Sequence, residues 1–167
     1  RVLNWGEVFQ RCQRMASALT KRGLGKGDTV AILSANTAEM FEVHFAVPMM
    51  GGVLNAINMR LDAKTVAFIL EHGEAKLLLV DKEFGPLAEA ALAFLSSPPA
   101  VVHIDDKHCE VGHLLGDESY DDLLAEGEAA PVGVDSTAYL PDDEWQAIAL
   151  NYTSGTTGNP KGVVYHH

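Results

Sequence analysis

Residues 152–163 read YTSGTTGNPKGV. Thr153, Ser154, Thr156 and Thr157 gather around Gly155 and Gly158, and Lys161 follows between Pro160 and Gly162. Glycines let a backbone approach an anion closely, and N–H groups left free in such a loop form an anion-binding nest. The hydroxyls add donors to phosphate oxygens and hard oxygen ligands for Mg²⁺, and the lysine supplies a mobile positive charge. Together these groups suit a polyphosphate. Several glycines among small polar residues also predict a loop that is poorly ordered alone and tightens on a nucleotide.

The spacing is not that of the common phosphate loop, G-x-x-x-x-G-K-[ST], in which a helix starts at the lysine. Here Gly155 and Gly158 stand closer together, Pro160 precedes Lys161 and Gly162 follows it. Pro160 disfavours an α conformation at Asn159, and glycine starts a helix poorly. The flanks, Ala147–Tyr152 and Val163–Tyr165, are apolar and rich in strand formers. The segment therefore reads as strand, loop, strand, which argues against a kinase or GTPase loop.

Upstream, the pattern supplies a scaffold for it. Trp5, Val8, Phe9, Cys12, Met15, Ala16 and Leu19 form an i, i+3, i+4 stripe, with Asn4 and Glu7 placed for a capping box and Gly23 as a stop. Thr29–Leu33 predicts a short strand. A helix follows from about Thr37 and ends or kinks at Pro48 before Gly51-Gly52. Residues 53–61 predict a strand and turn. Asp62 caps a helix to His72, stopped by Gly73, and Lys76–Val80 predicts a buried strand. A helix over Glu83–Leu95 has its start blurred by Gly85-Pro86, and Ala100–Ile104 is a further strand. Residues 105–145 turn acidic and irregular, with one short helix near Tyr120–Glu126. Ala147–Thr153 then returns to strand and delivers the glycine-rich loop.

Alternating strands and helices imply crossover connections: an α/β fold with a largely parallel sheet covered on both faces, hence strands apolar throughout such as LLLV and VAIL. Ligands in such sheets sit outside the carboxyl ends of the strands, where the loop after Thr153 would lie.

The net charge of −11 and pI of about 4.9 argue against a nucleic-acid or anionic-membrane surface, which needs a clustered basic patch. A local nest with one lysine can still hold a nucleotide. No apolar run approaches the ~20 residues of a membrane span. Cys12 and Cys109 are the only cysteines, too few for a secreted disulfide framework, so the cytosol is the default compartment. The chain is long enough for one domain with a core. It lacks an initiator Met, enters a helix pattern at once and runs off a strand into His166 and His167, which predicts a fragment.

Other clusters have simpler readings. His103, Asp105, Asp106, His108, Cys109 and His113 are zinc-binding types, but their spacing fits no common zinc motif, and a solvated loop is expected. His44 and His72 read as core or boundary packing, and Met49, Met50 and Met59 as filling around the Gly51-Gly52 break. Asp142–Glu144 reads as a solvated face. Asp121-Asp122 suits a helix start.

Ser154–Val163 matches, without a departure, the [ST]-G-T-T-G-x-P-K-G signature of the adenylate-forming enzymes: acyl-CoA synthetases, luciferases and peptide-synthetase adenylation domains. Residues 23–61, GLGKGDTVAILSANTAEMFEVHFAVPMMGGVLNAINMRL, resemble the early part of the amino-terminal domain of acyl-CoA ligases. Residues 143–167 are similar to ligases for short and medium acyl chains, including plant acyl-activating enzymes and bacterial methylthiopropionate-CoA ligases. The resemblance implies that residues 1–167 are a partial amino-terminal, AMP-binding domain, with the carboxy-terminal domain outside this chain.

It also implies a two-step reaction. A carboxylate attacks the α-phosphate of Mg-ATP and expels pyrophosphate, and coenzyme A then takes the acyl group from the adenylate. On that reading Thr153, Ser154, Gly155, Thr156, Thr157 and Gly158 cradle the phosphates, and Thr153 lies close to Mg²⁺. Lys161 neutralises charge on the departing pyrophosphate. His167 matches a family histidine near the acyl pocket; from the residues alone, a strand-end histidine facing solvent is equally open. Tyr165 departs from the small hydroxyl residue common beside it. The family's later motifs, for adenine, ribose, the acidic Mg²⁺ partner and the carboxy-terminal lysine, are absent, so this chain alone is expected to be inactive. Partners are the carboxylic acid and coenzyme A, and a homodimer is left open. A peptide-synthetase adenylation domain and a nucleotide-binding module without catalysis are the alternatives.

Overall fold

The first helix begins through a reciprocal cap. The Asn4 side chain accepts from the Glu7 N–H while the Glu7 carboxylate accepts from the Asn4 N–H. The computed structural model, which describes residues 2–130, 139–153 and 159–167, continues this helix as α1 (Trp5–Lys21). Then follow β1 (Thr29–Leu33), α2 (Ala38–Met49), β2 (Val53–Ala56), α3 (Ala63–His72), β3 (Ala75–Asp81), α4 (Gly85–Leu92), β4 (Ala100–Ile104), α5 (Tyr120–Glu126), β5 (Ala147–Thr153) and β6 (Lys161–His166).

The helix starts follow the expected chemistry. Thr37 accepts from the Met40 N–H to cap α2, and Asp62 accepts from the Lys64 and Thr65 N–H groups to cap α3. Pro48 lies in the last turn of α2, and Gly51 takes a left-handed φ of 81° that leads into β2. The helix expected over 83–95 is divided. Asp81 caps a 3₁₀ turn, Lys82–Phe84, and α4 starts afresh with Pro86 in its first turn, where the missing N–H leaves no bond unmade.

The six strands form one sheet in the order β4-β3-β1-β2-β5-β6. Every neighbouring pair is parallel except the last, for β6 runs antiparallel to β5. One face is covered by α1, α2 and α5 around Met15, Leu19, Val43 and Leu123, and the other by α3 and α4 around Leu33, Ile69 and Leu78. This two-sided cover explains why β1 is buried at every residue. It does not extend to the far edge: β5 is half-buried and β6 exposed along its length.

Three expectations need correction. Trp5 and Phe9 are 79% and 44% exposed, because α1 meets the sheet from Cys12 onward. His44 is exposed on the outer face of α2, its Nδ1 2.7 Å from the Met40 carbonyl oxygen. His72 is likewise exposed and not in the core, though at the end of α3 it does pack at the boundary, against Phe68 and Tyr152.

Candidate functional site

Because β5 runs parallel to β2, with Leu54 opposite Ala149, Thr153 stands at the carboxyl end of the sheet. Ladder pairs between β5 and β6 run from Ala147–His166 to Thr153–Lys161. Thr153 and Lys161 are thus the last pair of the ladder on the side of the glycine-rich segment. Directly opposed residues of an antiparallel pair project from the same face, with Cα atoms about 4.5–5.5 Å apart. Both are exposed. A hydroxyl and an ammonium therefore emerge side by side at the end of the sheet where ligands of such folds sit.

Tyr152 and Gly162 form the preceding pair and project from the opposite face. A Cβ at Gly162 would stand 3.0 Å from Leu150 Cδ1, a tight contact, and 3.5 Å from the Tyr152 ring, an ordinary one, so the glycine makes room for Leu150. The Tyr152 ring packs against the apolar cluster beneath α3, and its hydroxyl is 2.7 Å from His72 Nδ1. Burial holds that hydroxyl above its ordinary pKa, so it remains a neutral hydrogen-bonding group.

Of the expected phosphate-binding residues, Thr153 and Lys161 are brought together in this way. Ser154, Gly155, Thr156, Thr157 and Gly158 lie outside the described residues, as does the expected tightening of their loop. His167 follows β6 at the other end of the hairpin, roughly 20 Å from Lys161 at ~3.4 Å per residue. There it borders a shallow depression with Lys26, Gly51, Tyr139 and Gln146. Beside it, the His166 Nδ1–H donates to the Trp145 carbonyl, and its ring meets the Trp145 ring edge-on at 5.5 Å. The structure does not bring His167 to the phosphate end.

A second polar cluster lies where β1 and β3 meet, the point at which successive connections leave in opposite directions. Ser34 Oγ is 3.3 Å from Asp81 Oδ2 and 3.2 Å from Thr37 Oγ1, and the other Asp81 oxygen caps the 3₁₀ turn. Asp81 is buried, and burial, reinforced by the neighbouring charge of Asp106, raises its carboxyl pKa. The sequence carried no signal for this contact between residues 34 and 81. The partners bond one another, which marks the cluster as a structural seam of the crevice.

The His/Asp/Cys run at 103–113 is dispersed. His103 is buried in β4 with Nδ1 3.2 Å from the Gly116 carbonyl oxygen, Asp105 pairs with Lys82 and Lys107, and His113 faces Glu89. Among the described residues no three His, Cys, Asp or Glu side chains sit together so as to hold a metal ion. Nor is any helix among them long and apolar enough to cross a membrane.

The chain is similar to known proteins over its whole length. Residues 1–167 match the family described as AMP-binding enzyme. The chain is 44% identical, over 100% of its length and 31% of the relative's, to a peroxisomal acetate/butyrate–CoA ligase of Arabidopsis thaliana. It is 43% identical to a peroxisomal trans-cinnamate:CoA ligase of Petunia hybrida, over 98% of this chain and 30% of that protein. Among solved structures, an anthranilate CoA ligase in complex with anthranoyl-AMP superposes with a TM-score of 0.82 at 26% identity, covering 99% of this chain and 30% of that one. The inhibitor-bound N-terminal domain of FACL13 from Mycobacterium tuberculosis does so with a TM-score of 0.76 at 28% identity, over 99% and 37%. The chain thus spans about three-tenths of the length of the curated relatives it matches.

Proposed function

Because the chain belongs to the family of AMP-binding enzymes, we propose that it supplies the phosphate-binding hairpin of an ATP-dependent acyl-CoA ligase. On this reading, residues 1–167 are part of its amino-terminal domain. The single observation that carries this reading is the Thr153–Lys161 pair at the carboxyl end of the sheet, closing the turn whose sequence is SGTTGNP.

A carboxylate oxygen of the substrate attacks the α-phosphorus of ATP, and the bond to the oxygen bridging the α- and β-phosphates breaks. Pyrophosphate leaves with the electron pair. Coenzyme A then attacks the acyl carbonyl through its sulfur, AMP departs, and the thiol proton passes to solvent. The first step places new negative charge on the leaving phosphates, and a fixed cation beside them stabilises it more in the transition state than in the ground state. Lys161 is assigned this role because it pairs with Thr153 at the carboxyl end of the sheet. The backbone and hydroxyls of residues 153–158 would hold the phosphates in line.

Thr153 fits Mg²⁺ as one hard, exposed oxygen among ligands otherwise drawn from phosphate and water, and the ion would supply further charge neutralisation there. His167 is kept as a candidate for the acyl side of the site, distinct from the phosphate end. The acid is taken to be short or medium in chain, as in the acetate/butyrate relative, with an aromatic acid as the cinnamate relative uses next in line. The cytosol expected from the cysteines stands beside the peroxisome named for both of those relatives, and fluorescence of a tagged full-length protein decides between them.

The test is carboxylate-dependent ATP–pyrophosphate exchange by the full-length protein, across acids from acetate to octanoate, methylthiopropionate and cinnamate. Exchange with one group of acids is expected and would name the substrate class. No exchange with any acid, from folded protein, would replace the ligase with a nucleotide-binding module without catalysis.

A further inference from the structure

The hairpin that carries Thr153 and Lys161 joins the sheet through a short ladder. β1 and β2 pair from Thr29–Val53 to Ile32–Ala56, whereas β2 and β5 share a single register position, Leu54 with Ala149. Beyond it, Leu150–Thr153 advances towards the glycine-rich turn with β6 as its ladder partner, and β6 is itself exposed along its length. A strand so placed needs a lateral tie if its tip is to hold a fixed position.

Tyr152, the residue before Thr153, makes one. Its hydroxyl is 2.7 Å from His72 Nδ1. The two rings meet edge-on, with centroids 5.7 Å apart and planes at 81°. His72 in turn stacks on Phe68, one helical turn earlier, at 5.2 Å and 25°, which fixes the orientation of the imidazole. The Tyr152 ring packs against the apolar cluster on the α3 side of the sheet. Helix α3 is anchored by Val66, Ile69 and Leu70, all buried, so the contact links the hairpin tip to a rigid element.

We propose that His72 and Tyr152 form a latch through which helix α3 positions the Thr153–Lys161 pair on the nucleotide phosphates. The inference rests on the ligase reading above. His72 is a positioning residue: it touches neither phosphate nor carboxylate and acts through Tyr152. A catalytic group displaced at the phosphates loses alignment with the leaving group, so the consequence belongs on the nucleotide and not on the acid.

The experiment compares Tyr152→Phe, His72→Leu, His72→Asn and the double variant Tyr152→Phe/His72→Leu in the full-length protein. Amide hydrogen exchange of segments 147–153 and 161–166 is read without nucleotide, and KM for ATP and for the acid are read in pyrophosphate exchange. Tyr152→Phe and His72→Leu should each speed amide exchange in the hairpin and raise KM for ATP about fivefold, the scale of one net hydrogen bond. KM for the acid should stay unchanged. The double variant should be no worse than either single variant, because both remove the same contact. His72→Asn, whose side-chain amide can bond the hydroxyl from nearly the same place, should restore both readouts.

Unaltered amide exchange in Tyr152→Phe, additive losses in the double variant, or a loosened hairpin with an unchanged KM for ATP would each overturn the latch. If the wild type exchanges pyrophosphate with no acid, the ligase reading falls on its own. Amide exchange then decides the latch separately, with faster exchange in both single variants supporting it and no change ending it.

Discussion

Thr153 and Lys161 face each other across the β5–β6 ladder as its last pair before the glycine-rich segment. The pairing gives Lys161 a fixed root: its Cα is held by the strand, while its ammonium stands on four flexible methylenes. Loss of that one cation should slow adenylation by about 10²-fold or more in Lys161→Ala, the scale for one electrostatic donor. The loss should fall on kcat more than on KM, since the charge it meets is largest in the transition state. Carboxylate-dependent pyrophosphate exchange measures it, and a rate within twofold of wild type would refute the role.

Thr153 contributes through oxygen. Thr153→Ser keeps a hydroxyl at the ladder end and should retain most of the exchange activity. Thr153→Val keeps the β-branched shape that suits the strand and removes the oxygen, so it should raise the Mg²⁺ concentration needed for half-maximal exchange several-fold. Equal Mg²⁺ dependence in the two variants would show that the hydroxyl is not part of the metal's surroundings.

The loop, its flanking strands and most helix boundaries were legible because each is written locally: caps at Asn4, Thr37 and Asp62, breaks at Pro48 and Gly51, apolar runs in β1 and β3. What escaped was non-local. The stripe of α1 runs through Trp5 and Phe9, yet periodicity cannot say how far along a helix the sheet extends to cover it. His44 sits among apolar neighbours in sequence but on the outer face in space. The His72–Tyr152 bond joins residues far apart along the chain, and only the order β1-β2-β5 brings them together. The strand, loop, strand pattern was legible, while the antiparallel direction of β6 and its register, which pairs Thr153 with Lys161, required the structure.

Asp81 makes stability depend on pH in a definite sense. Burial raises its carboxyl pKa in the folded protein. Below the ordinary value of 3.8 the group is protonated folded or unfolded and has no effect. As pH rises through the window up to the raised folded value, the unfolded chain releases the proton more readily, and stability falls. Asp81→Asn keeps an oxygen for the Glu83 N–H and offers an amide to Ser34, without the charge. The variant should match wild type near pH 3 and exceed it at pH 7. Unfolding midpoints of both proteins across that range measure the difference, and an advantage that shrinks as pH rises would contradict the assignment.

The two cysteines should differ sharply in reactivity. Cys12 is 2% exposed, and burial first, then the charge of Glu42, pushes its thiol up to about 11. At pH 8 only about a thousandth of it is thiolate, the reactive form. Cys109 lies in the partly exposed 105–113 segment. Iodoacetamide labelling followed by peptide mass spectrometry should modify Cys109 readily and Cys12 only as the domain unfolds. Comparable rates at the two positions would show that α1 does not seal its inner face.

Glu42 is a fully buried carboxylate inside an apolar helix, and its neighbours explain how it is tolerated. Arg11 Nε donates to one oxygen at 2.5 Å, and the Tyr120 hydroxyl donates to the other at 2.9 Å. The three residues come from α2, α1 and α5, so the network ties together the helices on one face of the sheet. Burial, with the Glu42 charge beside it, holds the Tyr120 hydroxyl well above its ordinary pKa, so it stays a donor. Removing the carboxylate alone leaves the half-buried Arg11 cation with only the more distant and exposed Asp121, 3.6 Å away, and Glu42→Ala should lower stability by about 3 kcal/mol, the lower end for breaking a buried pair. Replacing the whole network with apolar groups of similar volume, as Arg11→Met/Glu42→Leu/Tyr120→Phe, removes the desolvation penalty together with the attraction. That variant should recover most of the loss. Denaturant unfolding of the single and triple variants distinguishes the cases: a triple variant as unstable as Glu42→Ala would mean that the ion pair itself, and not the orphaned charge, sets the stability of this face.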